Sequence, residues 1–243
     1  MDHLLPTSTT KDERERAARI AVLPVGSFEQ HGDQLPLTTD TLIACAVARE
    51  VAAAHNLLLL PPITISCSHE HAAWPGTVSI SARTLYSVIT DIATSLAQNG
   101  ADKLLIVNGH GGNYVLSNVV QEANVAGPHM ALFPARDDWD EARRIAGMET
   151  TNREDMHGGE LEVSILLHAC PELVGAGVAA QDRESTGRPL LLTLGMQAYA
   201  PDGVIGRPSK ATAQKGKAVL ESLVDLAGAH LAALGHGSDQ PLA

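Results

Sequence analysis

An α/β fold, with a mostly parallel sheet and helices on both faces, is predicted by three features of the sequence. Short apolar runs alternate with amphipathic stretches from residue 20 onward, and the runs end at glycine or proline. No hydrophobic stretch approaches the roughly eighteen residues that a membrane span needs. The chain has 243 residues, of which 44% are hydrophobic and 19% charged. That is enough apolar material for a sizeable core, in one domain rather than two small ones. Aromatics supply only 3% of residues, so the core must be aliphatic and rich in alanine.

Residues 1–17 are polar and charged and read as a flexible, loosely docked leader without a hydrophobic signal segment. The apolar run from Ile20 to Val25 ends at Gly26 and predicts a short buried strand followed by a loop. Asp40 is placed to N-cap a helix through Ala54, with Leu42, Ile43, Ala46, Val47 and Val51 forming its apolar stripe. A second strand, Leu57 to Leu60, is stopped by Pro61-Pro62. Ser81 to Gln98 has helical periodicity and stops at Asn99-Gly100. Lys103 to Val107 predicts a third strand, running into Asn108-Gly109-His110-Gly111-Gly112-Asn113. A helix through about Ala123 and a strand from Met130 to Phe133 follow.

From Ala135 to Met156 the charged sequence gives no clear period. His157-Gly158-Gly159 opens a helix through about His168, and residues 175–210, with many glycines and prolines, read as long loops. A last helix spans Ala211 to about Leu234, before Gly235. The organisation expected is a leader over 1–17, one domain over 18–235 and a polar tail over 236–243.

A net charge of −11 and the lack of any Lys/Arg run argue against a nucleic-acid partner, whose phosphates call for a basic footprint. No membrane association is expected, and the chain reads as a cytoplasmic protein. Cys45, Cys67 and Cys170 are odd in number and far apart, so neither a disulfide framework nor a cysteine zinc site is expected.

Metal-type ligands concentrate in four segments. In Glu29-Gln30-His31-Gly32, residues two apart project to one side of an extended chain, so Glu29 and His31 suit one metal or two adjacent ones. Asp40 lies within loop reach. His110 sits in a glycine-rich turn at the carboxyl end of a strand, where open α/β sheets place their sites. The fourth segment is His157-Gly158-Gly159-Glu160-Leu161-Glu162. Carboxylate-plus-imidazole sets suit Zn²⁺, Mn²⁺ or Fe²⁺, and an aspartate can bridge two such ions. Each residue singly also has an ordinary reading: Asp40 as a helix cap, Glu160 as a charge facing a helix N-terminus. There is no P-loop and no G-x-S-x-G elbow, and Ala73 stands where an H-E-x-x-H motif starting at His69 would need another His.

The run Leu23-Pro24-Val25-Gly26-Ser27-Phe28-Glu29-Gln30-His31-Gly32, with Leu35-Pro36-Leu37 and Asp40, resembles the creatininase (creatinine amidohydrolase) family. So do Pro75-Gly76-Thr77, Asn108-Gly109-His110-Gly111-Gly112-Asn113, His157-Gly158-Gly159 with Glu162 and Ser164, and Gly203-Val204-Ile205-Gly206. The resemblance implies a three-layer α/β/α sandwich and two divalent metal ions per chain, Zn, Mn or Fe. Glu29 and His110 then look like ligands of one ion and His31 and Glu162 of the other, with Asp40 bridging. Glu160 competes with Glu162 for its role, but the family pattern aligns with Glu162. His157 resembles the family's proton-transfer histidine, and the implied reaction is attack of a metal-bridging hydroxide on an amide carbonyl. The family also implies a homo-oligomer such as a hexamer.

Creatinine-hydrolysing members carry Tyr-Glu where this chain has Gly111-Gly112, and a substrate-packing Trp where it has Arg153. The departure points away from creatinine. Hydrolysis of a formamide or cyclic amide of a small metabolite is the expected activity, with a peptidase trimming a short modified peptide, or a metal-binding relative without catalysis, as alternatives. Glu70, His71, Trp139 and Arg153 are the candidate substrate contacts. For Arg153 the competing reading is a surface ion pair with Glu154 or Asp155.

Overall fold

The computed structural model describes residues 5–185 and 187–237. The expected tail lies mostly outside these residues, and the first part of the leader does too. Four strands, β1 (Ile20–Val25), β2 (Leu58–Leu59), β3 (Lys103–Asn108) and β4 (Met130–Phe133), form one sheet in the order β2-β1-β3-β4. Every pairing in it is parallel. β1 is buried along its whole length, as expected of a central strand covered on both faces.

Alternation along the strands sorts the helices into two layers. Ile20 and Val22 of β1, with Leu105 and Val107 of β3, face α2 (Thr39–Ala54), α6 (Glu160–Ala169) and α8 (Ala213–Ala233). Ala21, Leu23 and Val25, with Leu104 and Ile106, face α3 (Ala82–Gln98) and α4 (Val115–Ala123). The result is a three-layer α/β/α sandwich, the architecture expected. Its helices are held by aliphatic packing, with Phe133 a rare buried aromatic.

The differences from the sequence reading have local causes. α1 (Thr10–Arg16) forms inside the leader, closed by a capping box between Thr9 and Asp12, although it buries none of its residues. β2 keeps only two paired residues, because the prolines after it donate no ladder hydrogen bonds. The stretch without a period holds α5 (Arg136–Ile145), whose polar face obscured its pattern. The long loops contain a one-turn helix, α7 (Leu191–Leu194). Asp40 is not the N-cap of α2: Thr38 holds that position, and Asp40 is the second helical residue with its side chain turned inward.

Because α2, which follows β1, lies on one face and α4, which follows β3, on the other, the crossovers leave β1 and β3 toward opposite sides. The gap beyond their carboxyl ends is therefore a topological switch point, where such sheets bind ligands. Two glycines let the start of α2 enter that gap. A Cβ on Gly26 would stand 2.3 Å from Thr41 Cα, and one on Gly109 would stand 2.4 Å from the Asp40 carbonyl oxygen.

Candidate metal centre

The loop after β1 delivers Glu29 and His31, the start of α2 delivers Asp40, the turn after β3 delivers His110, and the segment entering α6 delivers His157 and Glu162. Glu29 and His31 are fully buried, and Asp40, His110 and His157 nearly so. Asp40 lies between the two imidazoles. Its Oδ1 is 3.0 Å from His31 Nε2, and its Oδ2 is 3.0 Å from His110 Nδ1. Glu29 Oε1 is 3.2 Å from His110 Nδ1, and Glu162 Oε2 is 4.0 Å from His31 Nε2. Two three-donor groups result, Glu29–Asp40–His110 and His31–Asp40–Glu162, each with its ligand atoms within 4.8 Å of one another.

Backbone carbonyls fix which nitrogen of each imidazole faces the centre. His110 Nε2 lies 2.9 Å from the Cys67 carbonyl oxygen, and His31 Nδ1 lies 3.1 Å from that of Glu29. A carbonyl only accepts, so those nitrogens carry protons and the opposite ones point lone pairs at carboxylates. That arrangement is repulsive unless a cation intervenes, and it is how metal-binding histidines are normally held. Ser27 Oγ donates to Asp40 Oδ2 at 2.7 Å, and the Gly158 amide donates to Glu162. Both carboxylate oxygens of Glu29 are buried without a hydrogen bond of acceptable geometry. A buried carboxylate left this way is costly unless it meets a cation. The donor set therefore fits divalent metal ions.

With protons as the only counter-charge, the site shows the same demand. Burial opposes a charge on His31, yet Asp40, Glu162 and Glu29 raise it to about 9. His110 is likewise raised by Glu29 and Asp40 against the cost of burial. Burial pushes the Glu162 carboxyl up to about 7, with His31 working the other way.

His157 is stacked between His31 and His71, with ring centroids 4.0 and 4.4 Å away. Its Nε2 donates to the Gln30 carbonyl oxygen at 2.6 Å, so Nδ1, 3.8 Å from Glu29 Oε1, is the nitrogen free to take a proton. Burial and the neighbouring imidazoles hold its basicity well below the ordinary value. Gln30 organises the layer behind it. Its amide donates to His71 Nδ1 at 2.9 Å and to the Gly203 carbonyl oxygen at 3.0 Å, while its own oxygen accepts from the Gly32 amide. His71 is lowered to about 3, by burial and then by His31 and His110. Glu29, His31 and His157 form a further three-donor group, so the geometry admits His157 as a ligand as well as a proton carrier.

The model of the creatininase family, described as creatinine amidohydrolase, matches residues 6–231. The chain belongs to the creatininase family. A mycofactocin precursor peptide peptidase from Mycobacterium ulcerans is 37% identical over 219 residues, covering 84% of this chain and 81% of that one. A creatinine amidohydrolase from Pseudomonas putida is 27% identical over 234 residues, covering 87% and 90%. Among solved structures, "Creatininase Mn" superposes with a TM-score of 0.78 at 25% identity, covering 96% and 98%. Membership places the chain among creatininase-family amidohydrolases.

The candidate centre opens into a cavity of about 640 Å³ lined by Glu70, His71, Trp139 and Arg153, which puts all four candidate substrate contacts at one site. Glu70 Oε1 approaches His110 Nε2 at 3.6 Å, and His71 Nε2 approaches Glu29 Oε1 at 3.4 Å. Glu160 is kept apart from the centre: it pairs with Lys215 and accepts from Thr150 and from the Glu149 amide. Glu154 accepts from Thr151, while Asp155 pairs with Arg143 and accepts from the Glu160 and Leu161 amides, capping α6. Sequence reasoning missed Ser27 and Gln30, although both lie inside the motif that carried the resemblance. It also missed Arg188, which joins the cavity from the glycine- and proline-rich loops.

Proposed function

We propose that this protein is a dinuclear metal-dependent amidohydrolase that trims a short, modified peptide. The observation that carries the hydrolase reading is the pair of buried donor groups sharing Asp40, with two carbonyl-anchored imidazoles and an unsatisfied Glu29 carboxylate. Glu29, Asp40 and His110 would hold one ion, and His31, Asp40 and Glu162 the other. Zn²⁺, Mn²⁺ and Fe²⁺ all suit such donors. When bound, the ions would lower the pKa of water and neutralise charge developing on a carbonyl oxygen.

The protein's own residues supply the rest. The buried floor of the centre keeps bulk water from its polar groups, which strengthens their electrostatics. His157 takes a proton at Nδ1 and, being a weak base, readily passes it to the departing amide nitrogen. Gln30 and the stacked rings of His31 and His71 hold the His157 ring in place. Glu70 and Trp139 form walls that orient the substrate.

Support for a peptide comes from the likeness to the mycofactocin precursor peptide peptidase and from a cleft with room for several residues. The small formamide or cyclic amide is the second reading, favoured by the depth of the centre, where Glu29 and His31 have no exposed surface. Exposed apolar side chains at Tyr114, Leu190, Leu192 and Leu194 support the expected homo-oligomer. The test is elemental analysis of chelator-free protein, followed by mass spectrometry of digests of peptide and formamide panels. Two ions per chain with peptide cleavage would support the proposal; no bound ion after Zn²⁺ or Mn²⁺ addition would sink it.

A further inference from the structure

Glu70 reaches His110 from the side facing away from the two donor groups. It lies in the short 3-10 turn His69–His71, and its Oε1 is 3.6 Å from His110 Nε2. Both neighbours in the turn are tied down. His69 Nδ1 lies 3.1 Å from Ser79 Oγ, and His71 Nδ1 accepts from the Gln30 amide at 2.9 Å. Gly195 packs against the same turn, where a Cβ would stand 3.0 Å from the Glu70 carbonyl oxygen.

Gly112 shows what space the carboxylate takes. A Cβ there would stand 2.0 Å from Glu70 Oε1, 2.3 Å from His110 Nε2 and 2.9 Å from the Cys67 carbonyl oxygen. Gly112 is not among the residues with positive φ, so its missing side chain serves space rather than backbone conformation. Creatinine-hydrolysing members carry an acid at this position. This chain leaves the position bare and fills the space beside His110 with a carboxylate from another loop.

The two imidazoles that face the centre are therefore backed differently. His31 Nδ1 meets the Glu29 carbonyl oxygen at 3.1 Å. His110 Nε2 meets the Cys67 carbonyl oxygen at 2.9 Å and, farther off, the Glu70 carboxylate. At 3.6 Å that carboxylate is too distant for a hydrogen bond and acts through its charge. Negative charge behind an imidazole N–H makes the opposite nitrogen a stronger metal ligand. It also evens the charge of the site. Glu29, Asp40 and Glu162 set three carboxylates against two divalent ions, and Glu70 adds the fourth.

We infer that Glu70 is a positioning residue for the ion that Glu29, Asp40 and His110 would hold, strengthening His110 as a ligand and making the two ion sites unequal. This rests on the metal-centre reading above. The ion on His31, Asp40 and Glu162 does not depend on Glu70.

The test titrates Zn²⁺, and separately Mn²⁺, into metal-free full chain against a chelating indicator, for wild type, E70Q and E70D. E70Q keeps the side chain's shape and removes its charge. It is expected to weaken one ion about 10–100-fold, the usual worth of an outer carboxylate behind a metal-binding histidine, and to leave the other unchanged. E70D keeps the charge at a longer distance and should recover part of that loss; it also serves if E70Q fails to fold. Two ions bound as tightly by E70Q as by wild type would overturn the inference. So would equal weakening of both ions with a lower Tm of metal-free E70Q, which would mark Glu70 as packing alone. A wild type that binds no ion would overturn the metal-centre reading and this inference with it, whereas the first two outcomes leave that reading standing.

Discussion

Asp40→Asn is the most informative single change, because Asp40 is the residue common to both donor groups. The substitution keeps the side chain's shape but turns one oxygen into an amide nitrogen that can only donate. Either the oxygen 3.0 Å from His31 or the oxygen 3.0 Å from His110 is then no longer available as a metal ligand. With free metal at about 100 times Kd, each bound ion adds about 2.7 kcal/mol to stability, or about 5 kcal/mol for two. At about 2–4 °C per kcal/mol for a chain of this length, metal should raise the wild-type Tm by roughly 10–20 °C. Asp40→Asn is expected to bind at most one ion and to lose at least half of that rise. Differential scanning fluorimetry with and without Zn²⁺ or Mn²⁺, alongside elemental analysis, reads both quantities. Asp138→Asn is the control, since Asp138 pairs with His230 instead. Wild-type metal content and an undiminished Tm rise in Asp40→Asn would refute the shared-ligand geometry.

His157→Gln should lower kcat about 10²–10⁴-fold on a cleavable amide, the usual worth of a positioned acid–base group, with little change in metal content; loss of an ion would identify His157 as a ligand instead. Metal-free protein should lose stability as pH rises from about 6.5 through about 9. Over that range unfolding releases the proton that folded His31 retains, so the folded state holds more protons than the unfolded one. Bound metal replaces that proton, so metal-loaded protein should show a flatter Tm over the same pH series. Asp155→Ala removes the cap of α6 and leaves the buried Arg143 guanidinium without its carboxylate partner, which should cost about 3–5 kcal/mol and about 6–20 °C in Tm. A Tm shift of only a degree or two would show that Asp155 is dispensable.

Much of the fold was legible because one signal dominated. Ile20 to Val25 and Met130 to Phe133 are apolar runs with clear stops, and both form strands at those bounds. α3 starts at its Ser81 cap and ends at Gln98, as its period and the following Asn99-Gly100 indicate. α5 escaped because Arg136, Asp137, Asp138, Asp140 and Glu141 leave too few apolar positions to define a face. Asp40 shows the limit of a local rule. It is a good capping residue by type, but tertiary packing pulled its carboxylate into the gap between β1 and β3, and Thr38 took the cap position.

The sequence by itself determined the layer architecture and the chemical identity of the candidate metal-binding groups. Both reside in local patterns: apolar period, turn residues, and short motifs in which Glu29, His31, His110 and Glu162 sit at strand and helix ends. Only the tertiary structure decided which partners those groups meet. It put Glu160 on Lys215 and Glu162 on the centre, chose the exposed nitrogen of each imidazole through the Cys67, Glu29 and Gln30 carbonyls, and brought Arg188 beside Arg153 from a distant loop. Local spacing says nothing of such meetings, because they are set by where separate elements pack and by which buried polar atoms are left needing a partner.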